Sequence, residues 1–287
     1  APVRNGEKME NKLEKAALYV VGTPIGNLSD FSPRAAETLA AVDFIAAEDT
    51  RVTVKLLNHF GIKKPLVSYY EHNKQEKGSV IADRMAAGET CALVSDAGMP
   101  AISDPGEDLV ALCAARGIPV YVVPGPSAVV SALAVSGLPT GRFTFEGFLS
   151  VNKKSRREHL ESLRGEARTM VFYEAPHKLL NTLQDMEAAF GDRRIALVRE
   201  ITKLHEQCIR TTLSAAAAYY AETPPKGEFV LVIEGAKPAE KREMTLEDAV
   251  ALARAAMENG SAASDAAKEA ARLSGFKKGE IYRRLME

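Results

Sequence analysis

Two polar clusters in this 287-residue chain hold the residue types needed for proton transfer next to a stabilising cation. Glu48, Asp49 and Arg51 follow the apolar run Ile45-Ala46-Ala47. Arg199, Glu200, Lys203, His205 and Glu206 fall at and beyond the end of a second apolar segment. A carboxylate can take the proton of a weakly acidic hydroxyl, and Lys or Arg can hold the charge that develops on the oxygen. Asp49, Glu200 and Glu206 are therefore the candidate bases, and Arg51 and Lys203 the candidate stabilisers. The sequence does not choose among the three carboxylates. Each cluster also has a plainer reading: Asp49 suits a helix N-cap, and the second cluster could be a salt-bridged surface.

Between these clusters run tight loops rich in glycine and proline. Ala92-Leu93-Val94 leads into Ser95-Asp96-Ala97-Gly98-Met99-Pro100-Ala101-Ile102-Ser103-Asp104-Pro105-Gly106, Val20-Val21 into Gly22-Thr23-Pro24-Ile25-Gly26-Asn27, and Val122-Val123 into Pro124-Gly125-Pro126-Ser127. Loops of this kind at strand ends are where α/β proteins bind ligands. ATP, NAD and FAD lose their usual sequence support, because there is no GxxxxGK[ST] segment and Gly22 and Gly26 have the wrong spacing for GxGxxG. Tight turns with few fixed charges offer backbone donors and acceptors at close range. They suit a ligand with an amino-acid end, a sugar and an adenine but no phosphate, such as S-adenosylmethionine. Pro24, Ser95, Asp96, Ala97, Gly98 and Ile102 are the expected wall, and the amides at Ser127 and Ala128 could take its carboxylate. Tyr173 and Glu174, ending a strand before Pro176, form a further edge. A side chain added at Gly98 or Ala97 is expected to block the ligand and leave the fold intact.

These loops need a frame that brings strand ends together. From Leu18 onward, short apolar strands (18–21, 43–47, 66–70, 90–95, 118–123) alternate with amphipathic helices (33–41, 52–60, 74–87, 106–116). This pattern predicts an α/β domain over 17–125 with a parallel sheet covered on both faces. A second α/β domain is expected over 126–236. Its helices are predicted at 127–136, 155–164, 177–190 and 214–221, and its strands at 143–148, 168–173, 194–201, 204–211 and 228–233. Two of those strands follow one another with no helix between, so that sheet is expected to be mixed. Lys237 to Lys241 reads as a linker, and 242–287 as a small C-terminal helical domain of three helices with helix-turn-helix spacing. Residues 1–16 read as a charged, disordered arm.

Composition excludes several classes. A net charge of −1 argues against a surface that is basic throughout, so contact with nucleic acid must come from local patches. Lys153-Lys154-Ser155-Arg156-Arg157 is one such patch; the tail, with Lys268, Arg272, Lys277, Lys278, Arg283 and Arg284, is another. Cys91, Cys113 and Cys208 include no CxxC pair and read as reduced core thiols. No apolar run is long enough for a membrane span, no signal segment is evident, and no metal-ligand motif occurs, so a cytoplasmic protein without membrane contact or bound metal is expected.

The segments LYVVGTPIGNLSD, FIAAEDTR, LVSDAGMPAISDPG, VVPGPSAVVSALAVSGLP, FEGFL, VFYEAPHKLL, REITKLHE and KGEFVLVIEG occur in this order across residues 18–235. Together they resemble the tetrapyrrole methylase superfamily, and more closely its bacterial branch that acts on small-subunit ribosomal RNA. The resemblance implies a class III S-adenosylmethionine methyltransferase fold of two α/β domains with the cofactor between them, a homodimer, and methylation of the ribose 2′-oxygen of a decoding-site cytidine in 16S rRNA. It also implies cofactor contacts from the backbone at Met99, where the family more usually has a small hydroxylated residue, and from Phe229. The stretch after Glu206 lacks the glycine the family pattern places before the threonine. Two other readings remain: a small-molecule methyltransferase acting on a tetrapyrrole, and a non-catalytic nucleic-acid-binding regulator.

Overall fold

The computed structural model describes residues 13–237 and 244–287. The expected arm up to residue 12, and residues 238–241 of the expected linker, lie outside the described residues. The chain divides after Ala236 into two compact units, and both expected α/β sheets lie in the first.

The first sheet is built from β1 (Leu18–Val21), α1 (Pro33–Ala41), β2 (Phe44–Ala47), α2 (Thr50–His59), β3 (Leu66–Ser68), α3 (Lys74–Ala86), β4 (Cys91–Val94), α4 (Gly106–Ala115) and β5 (Val120–Val123). Its five strands are all parallel, in the order β3-β2-β4-β1-β5. Local chemistry sets the helix starts. The Ser32 side chain accepts from the Ala35 N–H with Pro33 at the first helical position, and the Asp49 side chain accepts from the Arg51 N–H at the start of α2.

Strand alternation sorts the apolar residues onto two faces. Tyr19, Val21, Ile45 and Ala47 pack with Ala35, Leu39 and Leu57 of α1 and α2. Leu18, Val20, Phe44 and Ala46 pack with Ile81, Met85, Leu109 and Cys113 of α3 and α4. The chain steps outward from β1 to β3 and then back across to β5. Right-handed crossovers in opposite directions necessarily place their helices on opposite faces. The same reversal leaves the loops after β1, β2, β4 and β5 together at the C-terminal edge of the sheet.

The second sheet comprises α5 (Ala128–Ser136), β6 (Phe143–Phe148), α6 (Lys153–Ser162), β7 (Thr169–Glu174), α7 (Leu179–Phe190), β8 (Arg194–Arg199), β9 (Gln207–Thr212), α8 (Leu213–Glu222) and β10 (Phe229–Ile233). Its order is β6-β7-β10-β8-β9, with only β6 and β7 parallel, so it is mixed as the consecutive strands predict. α6, α7 and α8 cover one face and α5 the other. β8 stops at Arg199 and β9 starts at Gln207, both short of the expected limits, because Glu200 and Thr202 adopt left-handed backbone at φ 51° and 66°. The segment after Glu206 is regular strand without the missing glycine.

The second unit contains α9 (Leu246–Glu258), α10 (Ala263–Ser274) and α11 (Lys278–Met286). Thr245 and Asp248 cap α9 reciprocally, and the three helices close over Ala249, Ala253, Ala266, Ala267, Ala270 and Ile281. Gly275, at φ 79°, terminates α10.

One contact decides how closely the strand-end loops can meet. The Gly22 N–H donates to the Val123 carbonyl at 3.0 Å. A Cβ on Gly22 would stand 2.6 Å from the Gly125 Cα and 2.7 Å from the Met99 sulfur. Because the first obstacle is backbone, Gly22→Ala is expected to destabilise the protein by about 1–3 kcal/mol. Gly165→Ala, which meets nothing within 4 Å, should stay within about 0.5 kcal/mol of the parent. Denaturant melts of the two variants check this. Equal stability would show that the β1 and β5 loops are not in close contact.

Candidate active site

The loops at the edge of the first sheet face the second sheet across a cavity of about 650 Å³. Thr23 and Gly98 form a reciprocal backbone pair, N–H to O at 2.9 and 3.1 Å, so the β1 and β4 loops are tied where they border it. The Ser95 hydroxyl caps the turn by donating toward the Ala97 and Gly98 carbonyls. The Asp104 side chain accepts from the Ala101 and Gly106 N–H groups at 2.9 and 2.8 Å. It holds a stretch in which Ala101 and Ser103 are both left-handed, at φ 65° and 64°. Such backbone costs energy and persists only where neighbours fix it.

Most of the expected ligand wall lines this cavity: Asp96, Ala97, Gly98, Met99 and Ile102 from the β4 loop, and Ser127 and Ala128 at the start of α5. Across from them stand Tyr173, Glu174 and Phe229. Pro24 and Ser95 are not on the wall; Ile25 is there, while Ser95 serves the turn. Met99 turns its sulfur toward the Gly125 N–H, which donates to it at 3.2 Å, so its side chain ties the β4 loop to the β5 loop. Ser127 makes no side-chain cap, and in the first turn of α5 the Val129 N–H is taken by the Tyr173 hydroxyl oxygen. Gly98 is not the clean probe the sequence suggests. Its φ is 87°, and a Cβ there would lie 3.1 Å from the Ile25 side chain, so a larger residue would strain the fold as well as fill the site. Ala97 is exposed on the wall and can be enlarged freely.

Of the five residues expected to do chemistry, only Lys203 lines the cavity. Its ammonium is held by Glu228 at 2.8 Å and Glu200 at 3.1 Å, which raise its pKa and keep it cationic. Asp49 caps α2 and pairs with Arg51 at 2.6 Å, and that guanidinium and the Arg51 N–H hold its carboxyl at about 2. Glu200 accepts from the Glu228 N–H, which with Lys203 depresses its pKa. Glu206 accepts from the Thr202 N–H at 2.6 Å. Glu200 and Glu206 thus hold the left-handed turn that carries Lys203 to the cavity. His205 is exposed.

Glu48 belongs to the first polar cluster but is not among the three candidate bases. It is half-buried on the cavity wall and has no hydrogen bond or ion pair among the described residues. Its neighbours on the wall are engaged: Asp96 accepts from the Asp49 N–H, and Glu174 accepts from the Ala175 N–H and the Thr182 hydroxyl. Burial, and then the charges of Asp96, Asp104 and Asp49, push the Glu48 pKa upward. Its position one residue before a capping Asp was visible in the sequence, but the crowding of acids came only with the fold.

The basic patch at 153–157 is divided in use. Arg156 is buried against Asp185, with side chains 15% and 13% exposed, and braces the preceding loop through the Ser150 and Val151 carbonyls. Lys153 and Lys154 are exposed. In the C-terminal unit Arg272 pairs with Glu269, Arg284 with Glu287, and Lys278 donates to Ser264. Lys268, Lys277 and Arg283 have no such partner among the described residues. Cys91 and Cys113 are buried, and burial raises the Cys113 thiol to about 11; Cys208 is half-buried. Among the described residues, no group of three or more His, Cys, Asp or Glu could hold a metal ion, and no helix is long and apolar enough to cross a membrane.

Residues 17–217 match the tetrapyrrole (corrin/porphyrin) methylases. The chain is 47% identical over 271 residues to the ribosomal RNA small subunit methyltransferase I of Synechocystis sp., covering 94% of this chain and 97% of that protein. It is 43% identical over 273 residues to the Escherichia coli O157:H7 protein of the same name, covering 94% of each. Among solved structures, the fold is shared with diphthine synthase (TM-score 0.57, 14% identity, 76% of this chain and 89% of that one). It is shared also with uroporphyrin-III-C-methyltransferase from Thermus thermophilus (TM-score 0.54, 18% identity, 76% and 94%). With eight motifs in register and strand-end loops converging on one cavity, the chain belongs to the tetrapyrrole (corrin/porphyrin) methylase family and is homologous to the ribosomal RNA small subunit methyltransferases I.

Proposed function

We propose that the chain transfers the methyl group of S-adenosylmethionine to the ribose 2′-hydroxyl of a cytidine in the decoding region of 16S rRNA, working in the cytoplasm as a homodimer on 16S rRNA or the small ribosomal subunit. The observation that carries the substrate is near-full-length identity to ribosomal RNA small subunit methyltransferases. That identity favours RNA over a tetrapyrrole, and the acid and lysine on the cavity wall favour an enzyme over a regulator.

The residues fit the cofactor. A cavity of about 650 Å³ lies within the roughly 300–1,000 Å³ usual for small-molecule sites. The backbone at Ala97, Gly98 and Met99, in a turn where a Cβ would crowd its neighbours, suits close approach to an uncharged ribose or adenine. The first amides of α5, at Ser127 and Ala128, suit its carboxylate. When bound, S-adenosylmethionine supplies an activated methyl group on a sulfonium. The protein must align the acceptor oxygen and exclude water, which an enclosing wall of Tyr173, Phe229 and Ile102 favours. Glu48 is the carboxylate assigned to take the hydroxyl proton, since it is on the wall, unpartnered and less acidic than usual. Lys203, kept cationic, is assigned to the developing oxyanion. Asp49, Glu200 and Glu206 are assigned to building the loops.

The dimer reading rests on β5, an edge strand whose Val122 is 56% exposed, and on α5, whose Val130 is 53% exposed. Sedimentation of the wild type should give a dimer, and the Val122→Glu, Val130→Glu double variant a monomer. A monomeric wild type would remove this part of the reading.

Four further outcomes are expected. Calorimetry in EDTA should show S-adenosylmethionine binding unaltered by chelation, and Ala97→Leu should weaken that binding at least tenfold at unchanged melting temperature. Affinity lost to EDTA, or retained by the variant, would contradict the cofactor assignment. Glu48→Gln should lower single-turnover methylation of 16S rRNA by about 10²–10⁴ with little change in cofactor affinity. Because the folded protein raises the Glu48 pKa, ionising it costs stability; the cost is absent below the ordinary value of 4.5 and grows as pH rises through the folded-state value. The same variant should therefore melt higher than wild type near neutral pH and no higher in acid. Full turnover in Glu48→Gln would return the proton to another group.

A further inference from the structure

We propose that Phe148 is a stacking platform for an unstacked nucleobase of the RNA substrate, with Lys153 and Lys154, at the start of the helix that follows, as contacts for the flanking phosphates. The proposal rests on the RNA reading above and adds the subsite that would hold a base.

The observation behind it is a break in strand register. Along β6 and β7, Phe145 lies opposite Val171, Gly147 opposite Phe172 and Phe148 opposite Tyr173, so Glu146 is an extra, bulged residue. In an unbroken strand Phe145 and Gly147 would share a face, and Phe148 would point toward the buried Phe172 side under α6 and α7. The bulge, with Gly147 at φ 64°, reverses that parity and brings Phe148 to the same face as Phe145. There it borders the cavity.

The ring so placed is 59% exposed although it is a large apolar group. It rests on Tyr173 at 5.4 Å between centroids, and Tyr173 in turn packs edge-on against Phe145 at 5.0 Å. One side is thus supported while the ring stays largely open to solvent. A planar π-face at the mouth of a cavity is the feature by which proteins hold splayed RNA bases.

The surroundings are rigid and positively charged at the right end. Four residues separate Phe148 from Lys153, the first residue of α6, and Arg156 pins that connection by donating to the Ser150 and Val151 carbonyls while paired with Asp185. The bulged Glu146 reaches back to His159 of α6 at 3.0 Å, so bulge and helix are fixed to one another. Lys153 and Lys154 are exposed at the start of α6, Lys154 with Glu158 at 3.8 Å. A ribose held at the cavity would leave its base outside it, where the exposed ring stands.

The test measures methylation of small ribosomal subunits that lack the modification, with wild type, Phe148→Ala, Phe148→Tyr and the Lys153→Ala, Lys154→Ala pair, alongside calorimetry of S-adenosylmethionine and thermal melts. Phe148→Ala is expected to lower kcat/KM for the subunit by about ten- to a hundredfold. Phe148→Tyr should stay near wild type, and the lysine pair should lose affinity with a shallower salt dependence. Cofactor affinity and melting temperature should be unchanged in all of them. Wild-type kcat/KM in Phe148→Ala would overturn the assignment, as would loss of cofactor binding in that variant or an equal loss in Phe148→Tyr. If the wild type methylates no RNA, the functional reading falls and this subsite with it; a methylating wild type with an indifferent Phe148→Ala removes the subsite alone.

Discussion

The structure depends on how closely the loops at one sheet edge can approach each other. Gly22 and Gly125 meet backbone to backbone, with no room for a Cβ on either, and Thr23 and Gly98 exchange hydrogen bonds across the next layer. The loops after β1, β4 and β5 thereby become one assembly. Met99 fills the gap beside Gly22 and Gly125. A ligand meeting this edge meets backbone that is already fixed, so little ordering entropy is left to be lost on binding.

The same economy governs the carboxylates. Acidic side chains around the cleft mostly satisfy backbone N–H groups: Asp49 at Arg51, Asp96 at Asp49, Asp104 at Ala101 and Gly106, Glu200 at Glu228, and Glu206 at Thr202. Four of the five non-glycine residues with positive φ among the described residues, Ala101, Ser103, Glu200 and Thr202, fall in the loops so braced. Asp49 and Glu200, which accept such bonds, are held below the usual carboxylate range. Glu48, half-buried and then crowded by Asp96, Asp104 and Asp49, with no donor of its own, is pushed the other way.

The frame was legible in the sequence because its signals are local. Alternating apolar strands and amphipathic helices gave the parallel sheet, and the consecutive strands after Arg194 announced the mixed sheet. The wall from Asp96 to Ile102 was legible for the same reason, as a rigid loop at a strand end. Roles set by distant partners were not. Nothing local tells that Arg156 is buried against Asp185, that Glu200 and Glu206 shape a left-handed turn, or that Glu48 stands among three other acids. The bulge at Glu146 was equally hidden, since it exists only relative to the register of β7.

Backbone pairing between the loops builds the cleft before any ligand arrives. Native-state hydrogen exchange of the cofactor-free protein measures this. The Thr23, Gly98 and Ala101 amides are expected to exchange only with the global unfolding of the first unit, and to gain little further protection when S-adenosylmethionine is added. Fast exchange at these amides in the free protein, slowed strongly by the cofactor, would show instead that the ligand folds the site around itself.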